Sequence, residues 1–132
     1  MWWIPITPLK NGWRNLGGDW APASFYVDNT GIVHLRGQVT GGSIGTEVFT
    51  LGCDYYPHGG DQAQMTVSAT QTGEVVLGEV TIRRASLEGM ICTASCVTPT
   101  TGPFCQPGPA SVYATAGHSA RFSLDGISWR MR

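Results

Sequence analysis

Between residues 32 and 39 apolar and polar side chains alternate, with Val33, Leu35 and Val39 on one side and His34, Arg36 and Gln38 on the other. A period of two is that of a strand with one buried face. Gly37 falls on the apolar side, where a close neighbour or a bulge calls for a residue without a side chain. The same rhythm returns at 47–51, with Phe49 and Leu51 inward. At 63–69 Ala63, Met65, Val67 and Ala69 alternate with Gln64, Thr66 and Ser68. Residues 74–82, interrupted at Gly78, bring Val80 and Ile82 to one side, and shorter strand patterns lie at 25–27, 87–92, 112–114, 120–124 and 127–129. No window keeps a helical period over three turns. The expected core is Val33, Leu35, Phe49, Leu51, Val67, Val80, Leu124 and Trp129.

About eight short strands separated by Gly, Pro and Asn turns predict an all-β fold, a compact antiparallel β-sandwich or small β-barrel. The 132 residues suit a single β domain, 1–132. Within it, residues 1–24 read as an extended, aromatic-rich segment and 25–132 as the β core. Pro5 and Pro8 exclude a helix from the first part, which nevertheless carries Trp2, Trp3, Trp13 and Trp20. So many large rings need a surface to cover, and Trp2, Trp3 and Trp13 are the candidates for an oligomer interface. Residues 93–110 are rich in Thr, Pro, Gly and Cys and read as a long Cys/Pro-rich loop.

Charge removes several function classes. Eight basic and nine acidic residues leave a net charge of -1, without the basic surface that nucleic acid demands. No run of about 20 apolar residues exists, so no membrane span is expected. The start, Met1-Trp2-Trp3-Ile4-Pro5, lacks the basic and long apolar parts of a signal peptide.

Candidate chemistry is sparse. Cys53, Cys92, Cys96 and Cys105 lack the two close pairs of a structural zinc site, so no metal is expected. They remain candidates for disulfide pairing or for reduced thiols, and four cysteines allow three full pairings among which spacing does not choose. His34, His58 and His118 are scattered, and no G-x-S-x-G elbow is present. Asp19, Asp28, Asp54, Asp61 and Asp125 sit in turn-like settings where Asp caps its own backbone. No catalytic residue and no cofactor are expected. Asp54-Tyr55-Tyr56, followed by Pro57 and His58, sets a carboxylate beside two rings. That composition suits stacking on a sugar face, so Asp54, Tyr55, Tyr56 and His58 are the predicted ligand-binding residues.

Leu9-Lys10-Asn11-Gly12-Trp13 with Gly17-Gly18, the block from Asp28 to Gly37, and the ending from Phe122 to Arg130 occur in a characteristic order. Together they resemble the C-terminal head domains of phage tail-fibre and other virion structural proteins. The chain departs from that family's Leu-Pro-x-Gly-Tyr-x-Pro turn at residues 51–57, where Gly52-Cys53-Asp54 stands in its first part. The resemblance implies a homotrimer at a tail-fibre tip or particle surface of a virion, made in the host cytoplasm and assembled with other virion proteins. It implies attachment to a host surface polysaccharide or protein without catalysis. The rival expectations are a decoration or spike domain that binds nothing, and a glycan hydrolase.

Overall fold

A computed structural model describes residues 2–85, 96–97, 104–105 and 108–131. It shows an all-β fold with two antiparallel sheets. One has four strands in the order β1 (Ile4–Pro5), β3 (Ser24–Val27), β4 (Ile32–Arg36) and β13 (Ser128–Arg130). The other is an open sheet of seven, in the order β2 (Arg14–Asn15), β5 (Gln38–Thr40), β12 (Arg121–Ser123), β7 (Gln62–Ala69), β8 (Val75–Arg84), β11 (Ala110–Ala116) and β6 (Thr46–Leu51). Two short strands, β9 (Cys96–Val97) and β10 (Phe104–Cys105), pair antiparallel inside the segment expected to be a loop. The strand expected at 87–92 and the remainder of that loop, Cys92 included, lie outside the described residues. No helix among the described residues is long and apolar enough to cross a membrane.

The two sheets are joined by the first alternating segment. The strand expected over 32–39 is two strands that meet at Gly37, the one residue between β4 in the first sheet and β5 in the second. Gly37 has φ 124°, a conformation that any Cβ disfavours. Its N–H donates to Asp125 Oδ1 at 2.8 Å and its carbonyl accepts from Leu124 N at 2.8 Å, so the turn between β12 and β13, which pair in different sheets and form no hairpin, clamps the bend. A strand that leaves one sheet for another at such a bend forms the corner between them.

Both sheets bury their apolar sides in one core. Val33, Leu35, Phe49, Leu51, Val80, Leu124 and Trp129 belong to it, as the alternation predicts. Val67 does not: it is 45% exposed, so the pattern is inverted over 63–68, while Ala69 is buried as expected. Thr66 and Ser68 face inward instead, Thr66 Oγ1 donating to Ser123 O at 2.8 Å and Ser68 Oγ accepting from His118 N at 2.9 Å. The cause is close approach. A Cβ on Gly117 would lie 2.6 Å from Ser68 Oγ, and one on Gly78 would lie 3.2 Å from Thr66 Cγ2. Only small side chains fit beneath that crossing, and their hydroxyls are satisfied by the backbone that passes there.

Trp13 also departs from expectation. It is 3% exposed, its ring is 5.8 Å from Phe122, and its Nε1 donates to Thr46 Oγ1 at 2.9 Å. It is a core residue of its own chain, with no surface left to anchor a partner. Lys10 ties the same opening segment to β6 through Glu47, at 3.0 Å.

Candidate functional site

Of the predicted ligand residues, Tyr56 is buried, Asp54 and Tyr55 are half-buried and His58 is exposed. Tyr56 is buried, its hydroxyl donates to Asp61 Oδ1 at 2.7 Å, and the Arg84 guanidinium lies 4.3 Å from its ring centroid. Burial, with the Asp61 hydrogen bond behind it, pushes the Tyr56 phenol above its usual range. Tyr55 packs edge-on against Phe25 at 5.4 Å, and its carbonyl accepts from Trp129 Nε1 at 2.7 Å. Asp54 occupies a turn with φ 86°. His58 is exposed, held through its backbone N–H to Arg130 O at 2.7 Å. Both tyrosines therefore have structural duties. Cys53 is disulfide-bonded.

A row of rings runs along the outer side of the four-stranded sheet. The β3–β4 register sets Tyr26 opposite His34, and those rings stack at 4.7 Å. Trp3 meets Tyr26 at 4.5 Å with the rings nearly perpendicular, and the Arg36 guanidinium lies 4.5 Å over Trp3. At the other end His34 Nε2 is 2.8 Å from Asp28 Oδ2. Asp28 Oδ1 accepts from Thr30 Oγ1 at 2.6 Å, Thr30 N at 2.9 Å and Ile32 N at 3.1 Å, which closes the β3–β4 turn. The Thr30 hydroxyl, then His34 and the Ile32 amide, hold this carboxyl far below the usual carboxylate range. In this row Tyr26 lies between Trp3 and His34 and Trp3 carries Arg36, so its members are largely engaged with one another. Trp2, beside them in sequence, is 89% exposed.

An open concavity lies elsewhere among the described residues. Strand β12 pairs with β7 only at Arg121↔Ala69 and Phe122↔Ser68. Beyond those pairs the two strands part, and the gap is a groove of about 520 Å³, a size that suits a small ligand. Met65, Thr66 and Val67 line one side, Ser123, Asp125 and Gly126 the other, with Gln38, Arg121 and Trp20 completing it. Trp20 arrives through the turn closed by its N–H to Gly17 O at 3.2 Å, and its ring lies 4.8 Å from the Arg121 guanidinium.

The polar groups of this groove are held in fixed orientation. Asp125 accepts from Gly37 N through Oδ1 and, through Oδ2, from Gln38 Nε2 at 2.9 Å. Gln38 Nε2 also donates to Ser123 Oγ at 2.9 Å. A carboxylate accepts only, so the amide nitrogen of Gln38 must face Asp125 and its oxygen must point the other way. That oxygen, Oε1, is buried without a hydrogen-bond partner, and so is Arg121 Nε. Two unpaired buried polar atoms on residues that line one groove are an exception to the rule that such groups are satisfied.

Sequence reasoning missed this site because its members come from four separate segments, 20, 38, 65–67 and 121–126. The available signal was Asp125-Gly126 in the terminal turn, whereas Gln38 reads as one more polar residue on the outer face of an alternating strand. No family model, curated protein or solved structure matches the chain.

Proposed function

We propose that the chain is a non-enzymatic tip or surface domain of a virion that binds a host surface saccharide in the groove between β7 and the β12–β13 turn. The observation that carries the binding is that Gln38 and Arg121, two residues lining a groove walled by Trp20, each keep a buried polar atom without a partner, the acceptor Oε1 and the donor Nε. A sugar hydroxyl donates to the first and accepts from the second. The indole, with Met65 and Val67, supplies the apolar surface on which the C–H face of a pyranose rests. Rigid strands on a sandwich-like or barrel-like support hold these groups in place. The virion attribution rests on the sequence blocks described above, and with it the homotrimer, which multiplies a weak site by avidity.

Binding without turnover is the reading because hydrolysis of a glycosidic bond takes two carboxyl groups, and Asp125 alone lines this groove among the described residues. A second reading, a decoration or spike domain with no ligand, is favoured by the apolar strip on β8. There Val75 is 63% and Leu77 69% exposed, surface that another virion protein would cover.

Titration against arrayed host glycans tests the first reading. Trp20→Ala is expected to weaken saccharide binding by about tenfold or more, the effect of losing about 1.4 kcal/mol of contact. His58→Ala is expected to leave it unchanged. The reverse pattern would return the site to the segment at 54–58. Absence of binding by the parent protein to any surface glycan would favour the decoration reading.

A further inference from the structure

We propose that the saccharide taken by this groove is an acidic one, bearing a carboxylate as uronic and sialic-type sugars do. The proposal rests on the saccharide reading and narrows it. Among the nine residues that line the groove, Arg121 is the one cation and Asp125 the one anion. They do not neutralise each other. Both Asp125 oxygens are engaged, Oδ1 by Gly37 N and Oδ2 by Gln38 Nε2, and Asp125 and Arg121 form no ion pair with each other among the described residues. Arg121 is left with its guanidinium over the Trp20 ring and its Nε buried and unpaired.

A guanidinium fixed against an indole and lacking an acidic partner is a waiting site for a planar anion, which its fork meets with two parallel hydrogen bonds. The same groove offers features a bare inorganic anion does not use. Gln38 Oε1 is an acceptor, so it repels an anion's oxygens and attracts a hydroxyl. Met65, Val67 and Trp20 provide apolar wall. Carboxylate, hydroxyl and apolar C–H face on one small ring describe an acidic sugar. An acidic peptide offers a carboxylate and backbone N–H donors but no C–H ring face for the wall of Trp20, Met65 and Val67.

The test uses the full chain and three probes measured by the quenching of tryptophan fluorescence: oligogalacturonate and oligosialate, the same oligomers after their carboxyls are reduced to alcohols, and oligoglutamate. At least one acidic glycan is expected to bind, and carboxyl reduction to weaken it by about tenfold or more, as for loss of a charged hydrogen bond. Arg121→Gln is expected to produce the same loss on the acidic glycan and a clearly smaller loss on its reduced form, which forfeits only the neutral hydroxyl contact to Nε; equal losses on the two forms would overturn the acidic specificity. Arg121→Lys, which keeps the charge without the fork, is expected to fall between. Equal binding of acidic and reduced glycans would overturn the acidic specificity and leave the saccharide reading standing. Equal binding of oligoglutamate would overturn it too, by showing a charge site indifferent to sugar. Failure of all three probes, in a protein with native circular dichroism, would overturn the acidic-sugar proposal. If arrayed neutral glycans also fail, the saccharide reading falls with it.

Discussion

Gly37→Ala is expected to destabilise the fold by about 3–5 kcal/mol, a clash in a packed site added to the strain of a left-handed backbone. A Cβ there would lie 2.6 Å from Pro22 O and 2.7 Å from Ala23 Cα. Those are backbone atoms, and they cannot rotate away as a side chain does. The residue is also the joint between the sheets, so relief by movement would shift β4 against β5 and loosen the clamp from Asp125. Gly45 is the internal comparison. It has φ 98°, but a methyl group at its Cα would meet nothing within 4 Å, so its replacement by Ala bears the conformational cost alone, about 1–2 kcal/mol. Urea unfolding of the two variants measures the difference. Equal losses would mean that the approach of Pro22 and Ala23 does not constrain the joint.

Trp13→Ala is the second large effect, about 3–5 kcal/mol for a fully buried ring. The loss arises inside one chain. The indole packs on Phe122, and a Cβ at Gly42 would overlap the ring, so the backbone has been brought against it. Neighbours that close do not collapse readily into the space a missing indole leaves. Sedimentation equilibrium on the folded variant is therefore expected to give the same mass as the parent, three times 14.1 kDa for the trimer proposed above. A variant of normal stability that falls apart into single chains would restore Trp13 as an interface anchor.

Much of the strand layout is legible in the sequence because alternation is a local signal. At 32–36 polar and apolar side chains differ strongly, and the buried face follows from that contrast. Gly37 is legible too, as a residue without a side chain on an apolar face. What alternation cannot report is which face a close backbone crossing has claimed. At β7 the pattern points Met65 and Val67 inward, yet the crossing at Gly78 and Gly117 admits only Thr66 and Ser68. A pattern of period two offers no warning, since one face is read from the other. The tryptophans show the same limit. Burial of Trp13 and exposure of Trp2 follow from where an irregular segment crosses the sheets, and no periodicity encodes that path. The groove is hidden for a related reason. Gln38, Arg121 and Asp125 become neighbours only when β5 and β12 pair and the terminal turn folds over the joint.

The most direct test of the binding claim is a map of ligand contacts on the five tryptophan indole N–H signals of the isotope-labelled protein during titration with a bound surface glycan. Trp20 lines the groove, whereas Trp13 and Trp129 lie in the core with their indole N–H groups donating to Thr46 and Tyr55. The account predicts that the Trp20 signal shifts in a saturable way while those of Trp13 and Trp129 stay in place. Saturable shifts confined to Trp2 and Trp3, with Trp20 unmoved, would contradict it and put the site on the ring row of the four-stranded sheet.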